Sequence, residues 1–124
     1  MNKIAIIGAG KIGGSIAKLL AFSNDYTVTV VDQDAAALER LAKLAPVQTV
    51  LLDIKKQQEL LPVATGQDAL FAATSYTLNS GIARVALKHG VSYFDLTEDV
   101  ATTRGIQKMA EQAQESQIFM PQCG

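Results

Sequence analysis

The run Gly8-Ala9-Gly10-Lys11-Ile12-Gly13 constrains this chain more than any other stretch, because of what flanks it. Lys3 to Ile7 (KIAII) is a short apolar run that ends at the first glycine. Ser15 to Phe22 alternate at helical spacing, and a second apolar run, Thr27 to Val31 (TVTVV), stops at Asp32. Strand, glycine turn, helix, strand and acid form the frame in which a glycine pattern reads as a dinucleotide site. Without that frame it is only a turn beside an unrelated acid. Gly8 lets the chain leave the strand in a tight turn, Gly10 lets the backbone approach a pyrophosphate, and Gly13 lets the helix pack closely on the strand. The helix N-terminus aims free N–H groups and the positive end of its dipole at the phosphates. Asp32, nineteen residues beyond Gly13, can accept both ribose hydroxyls of the adenosine half.

The remaining chain repeats the alternation. The first helix is expected from Lys11 to about Phe22, with Ile12, Ile16, Leu19 and Leu20 facing inward. Asp34 reads as the N-cap of a helix over 35–44, with Leu38, Leu41 and Ala42 inward, ended by Pro46. A third strand is expected over 47–52, then a short polar helix or turn over 55–61 ended by Pro62. The fourth strand, 68–73 (DALFAA), is rich in apolar residues, as a buried parallel strand should be. Thr74 to Leu78 form its exit loop, and Asn79 caps a helix over 80–89 that stops at Gly90. A fifth strand over 91–96, a helix from Thr102 or Thr103 to about Ser116, and a sixth strand over 117–120 complete the pattern. This predicts an α/β fold: a doubly wound parallel sheet (Rossmann fold) of about six strands in the order 3-2-1-4-5-6.

Bulk properties exclude several classes. At 124 residues the chain is one domain, long enough to bury a core. It is 48% hydrophobic and 19% charged, with a net charge of −1 and no basic run, which argues against nucleic-acid partners. No apolar stretch reaches the roughly 18 residues that cross a bilayer, and the N-terminal apolar run ends in glycines, not at a cleavage site. Cys123 is the single cysteine, so no intrachain disulfide forms and a cytoplasmic location is expected. No His/Cys cluster has metal-ligand spacing, and no serine sits in a G-x-S-x-G elbow.

Three stretches carry a resemblance to a known family. Ser75-Tyr76-Thr77-Leu78-Asn79 after the fourth strand, Tyr93-Phe94-Asp95-Leu96-Thr97-Glu98-Asp99 at the fifth, and Pro121-Gln122-Cys123-Gly124 at the end resemble the N-terminal domain of the saccharopine dehydrogenase family. The similarity covers essentially the whole chain. It implies an excised cofactor domain, residues 1–124, whose parent would be a nicotinamide-dependent oxidoreductase acting on an amino acid or related C–N bond. The amino-acid substrate would be held by a second domain absent here. It further implies that Gly8, Gly10, Lys11, Ile12 and Gly13 surround the pyrophosphate, and Asp32 with Gln33 the adenosine ribose. Asp53 and Ile54 would border the adenine, and Ala72, Ala73 and Thr74 would line the route toward the nicotinamide. Tyr76 and Glu98 would face the substrate and could orient it or relay a proton. No catalytic residue is assigned.

Several family members use the phosphorylated cofactor, and here this sequence departs from them. A carboxylate at Asp32 pairs with a free 2′-hydroxyl but repels a 2′-phosphate, Asp34 adds a like charge, and no Arg or Lys follows before Arg40. NAD is therefore expected over NADP. Each single residue also has a plainer reading. His89 caps a helix C-terminus, Cys123 is inert, and Tyr76 and Tyr93 pack at strand ends. Asp53 either caps its turn or touches adenine; Asp95, Glu98 and Asp99 form a solvated loop or a cleft edge. Two other functions compete: a nucleotide-sensing regulatory domain of the potassium-transport type, and a fold binding a sugar nucleotide or methyl donor. The fifth-strand exit and the terminal Pro-Gln-Cys-Gly count against the former. Without a substrate domain, Ile118, Phe119 and Met120 would form an apolar patch, so a homodimer or larger assembly is expected.

Overall fold

The structure is a computed structural model that describes residues 2–97, 99–114 and 117–121. Its first strand, β1 (Asn2–Ile7), is followed by α1 (Lys11–Phe22), β2 (Tyr26–Asp32), α2 (Ala35–Leu44), β3 (Gln48–Leu51) and α3 (Gln57–Ala64). The second half runs β4 (Ala69–Ala72), α4 (Tyr76–His89), β5 (Ser92–Asp95), α5 (Val100–Ala110) and β6 (Phe119–Met120). The six strands form one sheet in the order β3-β2-β1-β4-β5-β6, and every pairing is parallel. This is the doubly wound Rossmann arrangement expected from the alternation of strands and helices.

Right-handed crossovers decide which face each helix covers. On one face α1 and α2 bury Ala17, Ala21, Leu38 and Leu41 against Ile4, Ile6, Val28 and Val30. On the other, α3, α4 and α5 bury Leu60, Ile82, Ala83 and Ile106 against Ala5, Ile7, Leu70, Ala72 and Tyr93. Alternate residues of β1 thus feed two cores, and this is why its run is apolar without interruption. The register aligns strand ends: Ile7 lies opposite Val31 on one side and Ala72 on the other.

Several boundaries move for physical reasons. The inward face of α1 is Gly13, Gly14, Ala17 and Ala21, whereas Ile12 and Leu19 are 59% and 73% exposed. Small residues let the helix axis approach the sheet, and Ile16 and Leu20, half-buried, pack beside them as expected. Ala42 likewise faces solvent while Leu38 and Leu41 are buried. Pro62 lies inside α3 and does not end it. The lost N–H costs a two-turn helix a single backbone bond.

Helix α4 begins one turn earlier than expected, after Ser75, so Asn79 is an interior residue 2% exposed and not a cap. Gly90 does end α4, in the left-handed conformation at φ 68°, and His89 with Lys88 occupies its last turn. Helix α5 begins at Val100. Its N-cap is Asp99, whose carboxylate accepts from the Thr102 N–H (2.9 Å) and hydroxyl (2.7 Å). Those two bonds, hydroxyl first, hold the Asp99 carboxyl below the usual carboxylate range.

Asp95 is neither on a solvated loop nor at a cleft edge. It is fully buried on the same face as Tyr93, whose hydroxyl donates to it at 2.5 Å, and the Thr97 N–H donates to its other oxygen at 2.9 Å. Tyr93 is itself fully buried, its ring 5.8 Å from that of Phe119. Gln117 ties β6 to the preceding unit: its amide nitrogen donates to the carbonyls of Ala86 and Val91.

Candidate functional site

At the carboxyl end of the sheet, backbone bonds draw four strand exits together. The Gly8 N–H donates to the Val31 carbonyl (2.7 Å), and the Ala73 N–H donates to the Ile7 carbonyl (2.8 Å). The Leu52 N–H reaches the Asp32 carbonyl (3.0 Å), which brings Asp53 to the same edge. In sheets of this winding, ligands bind in the crevice outside those ends.

The three glycines do different work. Gly8 adopts φ +116°, and a Cβ there would lie 2.5 Å from the Ala73 carbonyl oxygen. A Cβ on Gly13 would lie 2.0 Å from the Gly8 carbonyl oxygen, so this glycine lets α1 seat against the turn. A Cβ on Gly10 would meet nothing within 4 Å. The protein itself therefore requires Gly8 and Gly13 but leaves the space over Gly10 open.

The first turn of α1 faces the same space. Asp34 and Asp99 cap α2 and α5 with side-chain oxygens, but Gly10 caps α1 with no side chain at all. The N–H groups of the first turn, at Lys11, Ile12 and Gly13, precede the first helical bond, Gly14 N–H to Gly10 carbonyl at 2.7 Å. The first-turn N–H groups and the positive dipole end thus point where, among the described residues, no side-chain cap stands.

Asp32 holds the turn as well as bordering it. One carboxylate oxygen accepts from the Ala9 N–H (2.7 Å) and the other from the Asp34 N–H (2.9 Å). Each oxygen retains a lone pair for a ribose hydroxyl. Gln33 is exposed beside it, and Asp34 turns its carboxylate into α2, accepting from Ala36 and Ala37. Asp53 accepts from the Lys55 N–H (3.0 Å), as a turn-capping residue would, and Ile54 is 8% exposed with its side chain in the core.

Two hollows flank the turn. Between α1 and α2, a cleft of about 390 Å³ is lined by Gly10, Lys11, Lys18 and Arg40 among others. The charge of Arg40 is thus brought beside the turn although it lies eight residues beyond Asp32. On the other side, a pocket of about 200 Å³ is lined by Ile12, Ala72, Ala73, Thr74, Tyr76, Asn79, Leu96 and Thr97. Ala72 is 2% exposed, and Ala73 and Thr74 are half-buried. Tyr76, 50% exposed, stands at the rim. Glu98 and Cys123 lie outside the described residues. Reading α4 as starting at residue 80 hid Asn79; its spacing from Ile82, Ala83 and Ala86 already marks it as one member of the buried face.

Among the described residues no group of His, Cys, Asp or Glu could hold a metal, and no helix is long and apolar enough to cross a membrane. The family model described as saccharopine dehydrogenase NADP binding domain matches residues 4–120. Among solved structures, apo saccharopine dehydrogenase (L-Glu forming) from Saccharomyces cerevisiae superposes with a TM-score of 0.86 at 18% identity, over 100% of this chain and 27% of that one. Apo scyllo-inositol dehydrogenase from Lactobacillus casei gives 0.79 at 20% identity, over 98% and 36%. The WlbA dehydrogenase of Chromobacterium violaceum, solved with NADH and UDP-GlcNAcA, gives 0.75 at 16% identity, over 97% and 34%. At such identities these likenesses establish the fold. The chain spans between 27% and 36% of the length of these three proteins.

Proposed function

Because the chain belongs to the family of saccharopine dehydrogenase NADP-binding domains, we propose that it is the cofactor half of an oxidoreductase that moves hydride to or from an amino acid or related C–N bond. The domain is an NAD(P)-binding Rossmann unit of oxidoreductase type. The observation that carries the reading is the contrast among its glycines, two closed by protein and one, Gly10, open beneath the uncapped start of α1. That opening suits a pyrophosphate. A bound nicotinamide dinucleotide supplies the hydride chemistry. The chain's residues would hold it: Gly8 to Gly13 at the phosphates, Asp32 and Gln33 at the ribose, Asp53 and Ile54 near the adenine, and Ala72 to Thr74 along the nicotinamide side. The substrate would sit on a further domain of a longer protein, and we place the reaction in the cytoplasm on cysteine usage.

For the cofactor we favour NAD. Asp32 has an acceptor site left for a 2′-hydroxyl, and its charge opposes a 2′-phosphate. The cleft lined by Lys11, Lys18 and Arg40 supports the other choice, and so does the family's description. Calorimetric titration with NAD, NADP and ATP separates these. Heat with NAD, and at least about tenfold weaker NADP binding, is the expected result. NADP binding as tight as NAD overturns the preference, and tight ATP binding without NAD favours a nucleotide-sensing module.

We also expect self-association. On the α1 side of β4, β5 and β6, Ile16 and Leu20 of α1 together with Phe71, Phe94 and Ile118 line an apolar hollow of about 470 Å³. Ile118 and Met120 are 54% and 47% exposed, and Lys3 and Asp68 bring opposite charges to the same rim, a self-complementary arrangement for a two-fold dimer. Light scattering at tens of micromolar should give the dimer mass; a monomer counts against it.

A further inference from the structure

Asn79 is the one polar side chain on the buried face of α4, where its neighbours are Ile82, Ala83, Val85 and Ala86. It is 2% exposed, and its Oδ1 has no hydrogen-bond partner among the described residues. An amide so placed is a net cost to the fold, because Asn is a poor helix former and a buried acceptor loses its water. A leucine or alanine would serve packing better. Such a group in a native structure calls for an explanation, and its place beside a pocket points to a ligand.

The surroundings identify which one. The amide lines the pocket closed by Ile12, Ala73, Tyr76 and Leu96, with the hydroxyl-bearing Thr74 and Thr97 beside it. Ile12 belongs to the glycine turn, so this pocket is continuous with the pyrophosphate position. β1 has two neighbours in the sheet, β2 ending in Asp32 and β4 ending at Ala72. A dinucleotide whose adenosine lies over Asp32 and whose pyrophosphate lies over Gly10 must bring its other end to the β4 side. At about 200 Å³ the pocket is smaller than the roughly 300–1,000 Å³ of a whole drug-sized ligand site, and suits a single ring. The unpartnered Oδ1 needs an N–H or O–H donor, and the carboxamide carried by a nicotinamide ring supplies an N–H.

We propose that Asn79 anchors the nicotinamide carboxamide, its Oδ1 accepting the carboxamide N–H while Ile12, Ala73 and Leu96 wall the ring. This rests on the dinucleotide reading above, and Asn79 would hold the ring on the β4 side of the glycine turn.

The test uses the chain as it is. Titrations with NAD, with ADP-ribose (no nicotinamide) and with the 3-acetylpyridine analogue of NAD (a methyl in place of the carboxamide nitrogen) are run on the unmodified chain, Asn79→Leu and Asn79→Ala. The unmodified chain should bind NAD about tenfold tighter than the acetyl analogue, one hydrogen bond's worth. Asn79→Leu should weaken NAD about tenfold, leave ADP-ribose unchanged, abolish the discrimination between the two dinucleotides and not lower the melting temperature. Equal affinity of the unmodified chain for NAD and the acetyl analogue overturns the proposal without any variant. Parallel loss of NAD and ADP-ribose in both variants, or no loss of NAD, overturns it too. If the unmodified chain binds neither NAD nor ADP-ribose, the dinucleotide reading itself has failed; ADP-ribose binding with no gain from nicotinamide overturns only the anchor.

Discussion

Gly8→Ala should cost the domain on the order of 4 kcal/mol and lower its melting temperature by roughly 15 °C. Two penalties act together. At φ +116° the backbone occupies a region that an L side chain rarely adopts, worth about 1–3 kcal/mol. The added Cβ would also sit 2.5 Å from the Ala73 carbonyl oxygen, which is backbone and is itself anchored, since the Ala73 N–H bonds to Ile7. Overpacking of this kind costs about 1–3 kcal/mol more. Against a typical total of about 5–15 kcal/mol, that is a large fraction of all the stability present. A thermal melt followed by circular dichroism decides it: an unchanged midpoint would mean that β1 and β4 separate more easily than their register implies.

Gly10→Val should do the opposite: leave the fold within about 1 kcal/mol of the parent and weaken dinucleotide binding by about a hundredfold. Its φ of −71° and ψ of −167° suit any residue, and a Cβ there meets no protein atom within 4 Å. The changes in stability are small and of opposite sign, a poorer N-cap against a stiffer unfolded chain. The side chain would instead occupy the space in front of the Lys11, Ile12 and Gly13 N–H groups and hold a pyrophosphate off them. Melting and calorimetry on the same preparation give both readouts. Unimpaired binding in a folded Gly10→Val protein would place the phosphates elsewhere, and would sink the site described above. Paired with Gly8→Ala, it separates a glycine the fold needs from one the ligand needs, a distinction the motif alone conceals.

What the sequence made legible was whatever depends on local chemistry. The alternation of KIAII and TVTVV with helical spacing specified β1, α1 and β2. Asp34 announced its helix through capping, and Gly90 ended another through its freedom to take positive φ. The strand order followed from crossover handedness. What stayed hidden depends on how closely elements approach. Ile16 and Leu20 of α1 do pack against the core as expected, yet the closeness that Gly13 permits puts Ala17 and Ala21 at the centre of that face and leaves Ile12 and Leu19 outside. Asp95 read as part of a polar exit because nothing local says that a neighbouring tyrosine will supply its hydrogen bond in the core. Asn79 was concealed by a single turn of helix. At the candidate site, Asp32 was visible as an acid at a strand end, but its grip on the Ala9 N–H is a contact across 23 residues, and no spacing rule reports it.

That grip bears on any effort to re-engineer the domain. Exchanging an acid at this position for a neutral or basic residue is the obvious route to a different cofactor choice. Here the same carboxylate staples the glycine loop to the end of β2 and sets the backbone of the next turn. An exchange confined to Asp32 would strip two backbone donors of their acceptor and slacken the loop proposed above to receive the phosphates. On the cofactor preference proposed above, one side chain would carry both selectivity and loop rigidity, and a redesign would have to supply a new latch for Ala9 along with the new specificity.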